Sequence, residues 1–311
     1  MYDVLIVGGG PAGFTAALYA ARAGRTVLVL ERDTPGGQIA YAPRVENYPG
    51  MPGMSGAAFA EQLQTQAEAL GVEVDFAAVT GLSPAEGGYA VETEDGTYLA
   101  RAIVLSPGAS HRRLGLPVEE DLIGSGVSYC AVCDGAFCAG KRAVVVGGGN
   151  TALQDALFLA EICGHVTLVH RREAFRADPV LVDRAREREN LSFLLGYVPT
   201  ALVQEAGALT GLTVQNRETG EERTLSAEGL FIAVGRTPGT APFSRLVEVD
   251  EAGYFRAGED CRTALPGIFV AGDCRKKSVR QLTTAVADGA VAGLAAAEFA
   301  EAALCRSTDR L

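Results

Sequence analysis

Two glycine-rich turns, each between an apolar run and an alanine-rich stretch, constrain this chain more than any other feature. The first lies in DVLIVGGGPAGFTAALYAARAGRTVLVLER, residues 3–32, and the second in RAVVVGGGNTALQDALFLAEICGHVTLVHRREAFR, residues 142–176. Both predict a strand, a Gly-x-Gly-x-x-Gly/Ala turn, a helix and a second strand. In such βαβ units, backbone N–H groups at the start of the helix approach a pyrophosphate. The chain is therefore expected to bind two dinucleotides.

The residue at the end of the second strand differs between the two units. Glu31 stands 18 positions after Gly13, and His170 stands 18 positions after Ala152. A carboxylate accepts hydrogen bonds from ribose hydroxyls and repels a 2′-phosphate, which guanidinium groups bind. The first unit therefore predicts a dinucleotide with a free 2′-hydroxyl and the second predicts NADP(H). The second set comprises His170, Arg171, Arg172 and Arg176. The alternative is a solvated run of charge.

A third segment near the C-terminus combines with the first unit. GIFVAGDC, residues 267–274, predicts a strand that ends at Gly272 and Asp273, ahead of a long alanine-rich helix that begins near Arg280 and Gln281. An acid beside a helix N-terminus suits a flavin, because the acid binds ribityl hydroxyls and the helix end stabilises negative charge. Taken alone, Asp273 could equally be a turn residue. Together the segments predict a flavoprotein that accepts hydride from a nicotinamide cofactor.

A close cysteine pair stands just before the second glycine turn, in SYCAVCDGAF. Cys130 and Cys133 are two residues apart, and Asp134 follows directly. A structural zinc site needs four ligands, and the other five cysteines form no second pair, so no metal is predicted. A redox pair is the favoured interpretation, with Asp134 managing a thiol proton. The alternative for Asp134 is a helix N-cap.

Composition limits the partners and the compartment. The net charge of the 311 residues is −11, which argues against a nucleic-acid partner. MYDVLIVGGG has no basic region or cleavage site of a signal peptide, and no uninterrupted apolar run appears long enough to cross a membrane. We therefore expect a cytoplasmic protein without a membrane partner. Its odd number of cysteines, seven, does not suit a disulfide framework.

The order of the segments predicts one domain nested inside another. The fold class expected is α/β, with two Rossmann-like, three-layer ββα dinucleotide-binding domains. The FAD domain is expected at residues 1–113 and 246–311, and the NADPH domain, which carries the cysteine pair, at residues 114–245. Proline and glycine at 112–117 and 235–243 predict the two hinges.

At this level of detail the chain resembles the bacterial-type, low-molecular-weight thioredoxin reductases of the FAD/NAD(P)-dependent pyridine nucleotide-disulfide oxidoreductase family. The motifs that carry the resemblance are VGGGPAG, GGQ…VENYPG, GVSYCAVCDG, GGGNTA, HRREAFR, FIAVGRTP and GDC…RQ. They run from end to end in the family's order, and the Cys-x-x-Cys-Asp-Gly element is the most discriminating.

The resemblance implies FAD as the bound flavin, NADPH as the donor, oxidised thioredoxin as the substrate, and a homodimer. It implies that Cys133 faces the flavin and Cys130 attacks the partner's disulfide, with Asp134 as acid and base. It also implies a swivel of the NADPH domain about the hinges. The expected FAD residues are Gly8, Gly10, Pro11, Ala12, Gly13, Glu31, Gly37, Gln38, Asn47, Gly108, Gly272, Asp273, Arg280 and Gln281. The expected NADPH residues are Gly147, Gly149, Asn150, Thr151, Ala152, His170, Arg171, Arg172, Arg176 and Gly235.

Three positions depart from the family pattern. Pro107 replaces a threonine, Gly239 stands where asparagine is common, and Cys138 replaces an aromatic residue. Cys138 is either a small buried thiol, which is the favoured interpretation, or a third redox centre. Cys305 does not form part of a C-terminal redox tail.

Other functions stay open for the same fold. One is a reductase of another dithiol protein, glutaredoxin-like or peroxidase-linked, and another is a reductase driven by ferredoxin. A non-enzymatic flavin sensor or scaffold is the third, although it would need neither the arginine cluster nor the cysteine pair.

Overall fold

The computed structural model describes residues 1–42, 44–51 and 53–308, and for residues 306–308 the backbone alone. The chain divides into two compact units, residues 1–110 with 237–311 and residues 111–236. The limits predicted from the sequence are 113/114 and 245/246. Residues 237–245 belong to the first unit in the structure because Phe243 is buried in that unit's core beside Leu5 and Leu28.

The chain combines βαβ segments with runs of consecutive strands, at residues 73–128 and 191–270. The strands are β1 Tyr2–Val7, β2 Val27–Glu31, β3 Glu73–Phe76, β4 Val79–Ala85, β5 Gly88–Thr93, β6 Thr97–Leu105, β7 Ala109–His111, β8 Val127–Ser128, β9 Arg142–Gly147, β10 His165–His170, β11 Leu191–Leu195, β12 Tyr197–Glu205, β13 Ala208–Asn216, β14 Glu222–Ser226, β15 Gly229–Ala233, β16 Arg236–Pro238 and β17 Ile268–Val270. The helices are α1 Pro11–Arg22, α2 Gly56–Glu68, α3 Ala131–Asp134, α4 Asn150–Ile162, α5 Pro179–Arg186 and α6 Leu282–Thr308. Short 3-10 turns span Gly37–Tyr41, Gly135–Cys138, Ala241–Phe243 and Gly272–Cys274.

The first unit is built on a sheet of order β3-β2-β1-β6-β5-β4. Strands β3, β2, β1 and β6 are parallel, and β17 pairs in parallel with the C-terminal half of β6, whereas β5 pairs antiparallel with its N-terminal half. Every residue of β2 is buried, as expected of a parallel strand that is covered on both faces. The carboxyl ends of β1, β2, β6 and β17 therefore share one edge of the sheet.

Two apolar cores lie on opposite faces of that sheet. On one face, Val4 and Ile6 pack against the small residues of α1 and α6. On the other face, Leu5 and Val7 pack with Phe243 and Phe255 from the loops. The alternation of β1 side chains between these cores follows from the two-residue period of a strand.

The second unit repeats this plan at a smaller size. Its parallel sheet has the order β11-β10-β9-β15-β8, and an antiparallel sheet β12-β13-β14 forms another layer. Val145 faces the helix α4, whereas Val144 and Val146 face the three-stranded sheet. This is a three-layer ββα arrangement. The predicted α/β fold class, with two Rossmann-like domains, is confirmed.

The long C-terminal helix α6 bears on the expectation that the protein has no membrane partner. By length and composition alone, Leu282–Cys305 would suit a membrane-crossing helix, with a mean hydropathy of 1.2. However, 44% of the window is buried inside the protein, and Ala292 and Ala296 lie in the core with α1. A core helix passes the same test, so this observation is weak evidence for a membrane span.

Candidate redox centre and dinucleotide sites

Cys130 and Cys133 form a disulfide in the second unit, with 5.3 Å between their Cα atoms. Cys130 follows β8 and is the N-cap of the one-turn helix α3. Its carbonyl oxygen accepts hydrogen bonds from the N–H groups of Cys133, at 3.2 Å, and Asp134, at 3.1 Å. The single helical turn thus brings the two sulfurs together and puts the Asp134 carboxyl group next in the chain.

A serine that the sequence analysis did not select joins Asp134 to this turn. The Ser128 hydroxyl donates to Asp134 Oδ2 at 2.5 Å, and the Cys130 N–H donates to Ser128 Oγ at 3.0 Å. Burial raises the pKa of Asp134, and the hydrogen bond from Ser128 opposes that rise in part. Asp134 precedes the Gly135–Cys138 turn, but its side chain makes no capping hydrogen bond there. A carboxyl group with a raised pKa is better suited to carry a proton than an ordinary aspartate.

Cys138 is one of the buried thiols in the core around α4. Its sulfur lies against Gly229, where a Cβ atom would collide with it. Burial raises the pKa of Cys138, and burial together with the nearby Cys138 raises the pKa of Cys163 to about 11. Since the thiolate is the reactive form, these positions favour inert packing thiols over a third redox centre.

The first glycine turn closes tightly under the start of α1. Gly8 has a φ of +99°, a conformation that L side chains rarely adopt. A Cβ on Gly13 would collide with the Gly8 carbonyl oxygen and lie 2.8 Å from Ser106 Oγ. Gly10 is the helix N-cap, with Pro11 and Ala12 in the first turn. The turn therefore needs glycine at positions 8 and 13 for close packing.

Glu31 lies buried at the end of β2 against this turn. Its Oε2 accepts the Gly9 N–H at 2.7 Å, and its Oε1 accepts the Asp33 N–H at 2.8 Å. A carboxylate can accept about four hydrogen bonds, so further acceptor capacity stays available for hydroxyl groups. The Gly36 N–H donates to the Gly9 carbonyl oxygen at 2.7 Å, which brings Gly37 beside Gly10.

The structure also connects the remaining residues predicted for FAD in the first unit. The Gln38 side chain donates to the Ala109 carbonyl oxygen, and Asn47 donates to Gln281 at 3.1 Å. Arg280 donates to the Asp273 carbonyl oxygen at 3.2 Å and lies over the Tyr254 ring. Gly108, beyond the end of β6, accepts the Gly239 N–H, and Gly272 lies against Ala12.

Two departures from the family pattern touch each other in this unit. A Cβ on Gly239 would lie 2.9 Å from the Pro107 carbonyl oxygen and 3.1 Å from Pro107 Cβ. An asparagine at 239 would therefore require Pro107 to move. The contact explains the glycine at 239, whereas nothing in the structure explains the proline at 107.

A buried charge network, missed by the sequence analysis, holds the Gly272–Cys274 turn. Asp288 on α6 accepts hydrogen bonds from Arg275 at 2.9 and 3.1 Å, from Lys277 Nζ at 2.7 Å and from the Gly272 N–H at 3.0 Å. The three charged side chains are at most 7% exposed. Burial opposes ionisation of Asp288, but the donors outweigh it and lower its pKa. The network thus fixes the turn that carries Asp273.

The second glycine turn is built differently. A Cβ on Gly147 would lie 2.5 Å from the Ala233 carbonyl oxygen and 2.7 Å from the Ala152 methyl group. Gly149 is the N-cap of α4 and has open space where a side chain would be, with exposed Thr151 in the first turn. Asn150 exchanges two hydrogen bonds with Asp178, at 2.8 and 2.9 Å.

His170 lies buried directly beneath this turn. Its ring packs so closely on Gly148 that a Cβ there would collide with it, and it stacks on Phe175 at 5.6 Å. Burial lowers the pKa of His170, and the neighbouring arginines lower it further. Nε2 is buried without a hydrogen-bond partner among the described residues. The neutral ring therefore supports the turn from below.

The exposed arginines after β10 line a cavity of about 230 Å³. Arg171 and Arg172 contribute to it together with Glu173, Gly196, Arg217 and Glu218. Arg176 joins this segment to the glycine turn through its N–H, which donates to the Gly148 carbonyl oxygen at 2.8 Å. Gly235 lies two residues after the end of β15 and has a φ of +115°. Its carbonyl oxygen accepts the Arg112 N–H at 3.0 Å. Arg217 is a further cation that the motif did not include.

These features fit two different dinucleotides. In the first unit, the open faces of Gly10 and Gly37 and the spare acceptors of Glu31 suit a cofactor with ribose hydroxyls, as in FAD. In the second unit, the open Gly149 and the arginine-lined cavity suit a phosphate-bearing ribose, as in NADPH. Within the described residues, no group of three His, Cys, Asp or Glu side chains could hold a metal ion.

Comparisons with known proteins agree with this picture. A model of the pyridine nucleotide-disulphide oxidoreductase family matches residues 2–289. The thioredoxin reductase of Listeria monocytogenes is 41% identical over 301 residues, 97% of this chain and 94% of that protein. The thioredoxin reductase of Bacillus subtilis is 39% identical over 301 residues, 97% and 95% of the two chains. The crystal structure of thioredoxin reductase from Streptococcus pyogenes has a TM-score of 0.93 at 39% identity, covering 97% and 99%.

The fold, the disulfide and the two nucleotide turns define a flavin-dependent disulfide oxidoreductase with a pyridine nucleotide as electron donor. The chain belongs to the pyridine nucleotide-disulphide oxidoreductase family. It is an NADPH-dependent oxidoreductase whose cofactors are FAD and NADPH.

Proposed function

We propose that the protein is a thioredoxin-disulfide reductase that transfers electrons from NADPH, through FAD and the Cys130–Cys133 disulfide, to oxidised thioredoxin. The single observation that carries the proposal is the Cys130–Cys133 disulfide with Asp134 hydrogen-bonded in the same turn. The thioredoxin reductases to which the chain is similar over almost its whole length support thioredoxin as the substrate. The arginine-lined cavity favours NADPH over ferredoxin as the donor.

The two units receive different cofactors in this proposal. The first unit, residues 1–110 and 237–311, is the FAD domain, and the second unit, residues 111–236 with the cysteine pair, is the NADPH domain. Glu31 binds ribose hydroxyls and Asp273 binds the flavin's ribityl chain, while the other FAD and NADPH residues named from the sequence keep their expected roles. The segments at 112–117 and 235–243 are the hinges of a domain swivel.

The chemistry at the cysteine pair requires proton management as well as electrons. FAD held by the first unit would supply the electron pair, taken from NADPH as hydride, for reduction of the Cys130–Cys133 disulfide. One sulfur leaves as a thiolate, and Asp134 gives and takes the proton of the dithiol, held in place by Ser128.

The substrate step is a thiol–disulfide exchange. The Cys130 thiolate attacks one sulfur of the oxidised thioredoxin, which forms a mixed disulfide and releases that protein's second sulfur as a thiol after protonation. The Cys133 thiolate then attacks Cys130, which re-forms the intramolecular disulfide and releases reduced thioredoxin. Cys133 is the member that faces the flavin in this assignment.

An anaerobic titration tests the proposal. NADPH, and NADH far less well, should bleach the flavin absorbance of the wild-type protein, and thioredoxin-coupled thiol release should require NADPH. Cys133→Ser should abolish thiol release, whereas the matched control Cys305→Ser, at an exposed cysteine outside the redox pair, should retain it. If NADPH leaves the flavin oxidised while reduced ferredoxin drives thiol release, the proposed donor is wrong.

We also propose a homodimer. Tyr19 on α1 and Val291 and Leu294 on α6 are 36%, 39% and 46% exposed, and these two helices pack against each other. Apolar side chains that stand in solvent on neighbouring helices suit an interface with a second copy. Light scattering should give twice the 32.3-kDa chain mass. The change Leu294→Asp should lower the measured mass toward that of one chain. A wild-type protein with the mass of one chain would exclude the dimer.

A cytoplasmic location completes the proposal. Cys138, Cys163, Cys261 and Cys274 are free and buried, which suits a reducing compartment. Cell fractionation should recover the protein with cytosolic markers, and recovery with membranes would contradict this.

A further inference from the structure

The cavity beside the predicted 2′-phosphate clamp is formed by two separate chain segments. Arg171, Arg172 and Glu173 follow β10, and Arg217 and Glu218 belong to the turn between β13 and β14. The HRREAFR motif contains only the first segment. The second segment reaches the same cavity through the antiparallel layer of the unit.

Arg217 is anchored to the clamp at two points. Its N–H donates to the Gly196 carbonyl oxygen at 2.9 Å, and its guanidinium donates to the Arg171 carbonyl oxygen at 3.3 Å. Asn216 Oδ1 accepts the N–H groups of Glu218 and Thr219, each at 2.9 Å, which fixes the turn. The backbone position of Arg217 therefore does not depend on its side chain, and one guanidinium edge stays available for a ligand.

The charges around the cavity favour an anion only if Arg217 takes part. Arg171 and Arg172 are balanced by Glu173 and Glu218, and Arg217 makes the lining net positive. Glu173 lies over Gly196, where a Cβ would collide with its carboxylate. A phosphate needs N–H donors in excess of carboxylates, because the carboxylates repel it.

We propose that Arg217 is a specificity-determining residue that binds the 2′-phosphate of NADPH together with Arg171 and Arg172. This inference rests on the proposed NADPH-dependent function and adds to it a cation that lies outside the sequence motif. Arg217 then helps to distinguish NADPH from NADH, whose ribose has a free 2′-hydroxyl.

Calorimetric binding of two fragments to the oxidised holoenzyme tests the inference without turnover. The fragment 2′,5′-ADP carries the 2′-phosphate, and 5′-AMP lacks it. We expect Arg217→Gln to weaken 2′,5′-ADP binding about tenfold, the effect of one charge-assisted hydrogen bond. Binding of 5′-AMP should change less than about twofold, because its contacts lie elsewhere.

Two other changes on the same hairpin act as controls. Arg223→Gln removes an equal charge from the hairpin, but Arg223 pairs with Glu221 at 2.8 Å and lies over the Tyr197 ring, outside the cavity. At 0.15 M salt it should alter 2′,5′-ADP binding less than about twofold. Glu218→Gln should tighten that binding about two- to threefold, since it removes a repelling carboxylate.

Three outcomes would overturn the inference. Equal losses of 2′,5′-ADP affinity for Arg217→Gln and Arg223→Gln would mean that only the overall charge of the hairpin matters. Equal losses of 2′,5′-ADP and 5′-AMP would mean that Arg217 only holds the loop. If the wild-type protein bound the two fragments equally well, the NADPH assignment of the proposed function would fail as well, which separates the two failures.

Discussion

The two glycine turns follow the same sequence plan but close over their strands in different ways. In the first, Gly8 adopts a φ of +99° and Gly13 lies so close to the Gly8 carbonyl oxygen that no methyl group fits. In the second, Gly147 lies outside that left-handed range, and Ala152 takes the place of the last glycine. The first helix therefore approaches its turn more closely than the second.

The two sites also differ in how far their charged side chains are buried. In the first unit, Glu31 and the Asp288 network are buried and hydrogen-bonded to backbone N–H groups. In the second unit, Arg171, Arg172 and Arg217 stand exposed around a cavity. A site with fixed, buried charges suits a cofactor that stays bound, and a site with exposed cations suits a donor that binds and leaves in every turnover.

The largest effect is expected at the buried charges of the first unit. The change Asp288→Asn leaves Arg275 and Lys277 buried without their carboxylate, and should cost about 3–5 kcal/mol of unfolding free energy. Urea unfolding and the flavin content of the purified protein measure this. The matched change Glu259→Gln removes an acid that also faces Arg275 but is 94% exposed, and should cost less than about 1 kcal/mol. Equal costs would remove the distinction between buried and exposed charges.

A methyl group added to the first turn should have the next largest effect. The Cβ of Gly13→Ala would meet backbone at Gly8, and we expect a loss of about 3 kcal/mol and a large drop in bound flavin. The reverse change in the second turn, Ala152→Gly, should cost about 1 kcal/mol through helix propensity and leave the flavin in place. The flavin-to-protein absorbance ratio and urea unfolding test both variants. If Gly13→Ala retained its flavin and stability, the two turns would be equivalent in packing.

The smallest effect concerns the pH dependence of stability. It is expected in the second unit, because the chain's three histidines all lie there. Burial, and then the nearby Arg236, lower the pKa of His111 to about 4. The unfolded chain takes up a proton near pH 6.5 and the folded chain does not, so stability is present above pH 6.5 and is lost as the pH falls toward 4.

The change His111→Phe tests this, since phenylalanine can keep the stacking on Tyr129 but does not titrate. The acid-induced loss of stability should shrink by about 2 kcal/mol, after discounting for partial exposure of the ring. Calorimetric unfolding at pH 7, 5.5 and 4.5 measures it. An identical pH profile in wild type and variant would show that His111 is not responsible.

Local sequence patterns account for much of this molecule. The βαβ units and the redox turn are written in contiguous residues, because glycines, apolar runs and a cysteine pair act over a few positions. The roles given to Glu31 and Asp273 in cofactor binding stay predictions.

Contacts between distant residues could not be predicted. Arg217 reaches Arg171, Asp288 reaches Lys277, and Gly239 meets Pro107 only through tertiary packing. Arginine, aspartate and glycine are common in turns, so their types alone carried no signal. Ser128 stands only two residues before Cys130, but it lies outside the Cys-x-x-Cys-Asp-Gly motif, so the motif did not predict its role.

The segment after residue 113 has backbone amides that are protected from hydrogen exchange. Glu119, 2% exposed, accepts the N–H groups of Leu114, Gly115 and Leu116 at 2.8–3.2 Å, and the Tyr129 hydroxyl, next to Cys130, at 2.6 Å. A proline- and glycine-rich connection would ordinarily exchange its amide hydrogens within seconds. Here those three amides can exchange with deuterium only when their hydrogen bonds to the carboxylate open. Their exchange rate therefore reports how often this segment opens locally, next to the tyrosine that precedes the redox pair.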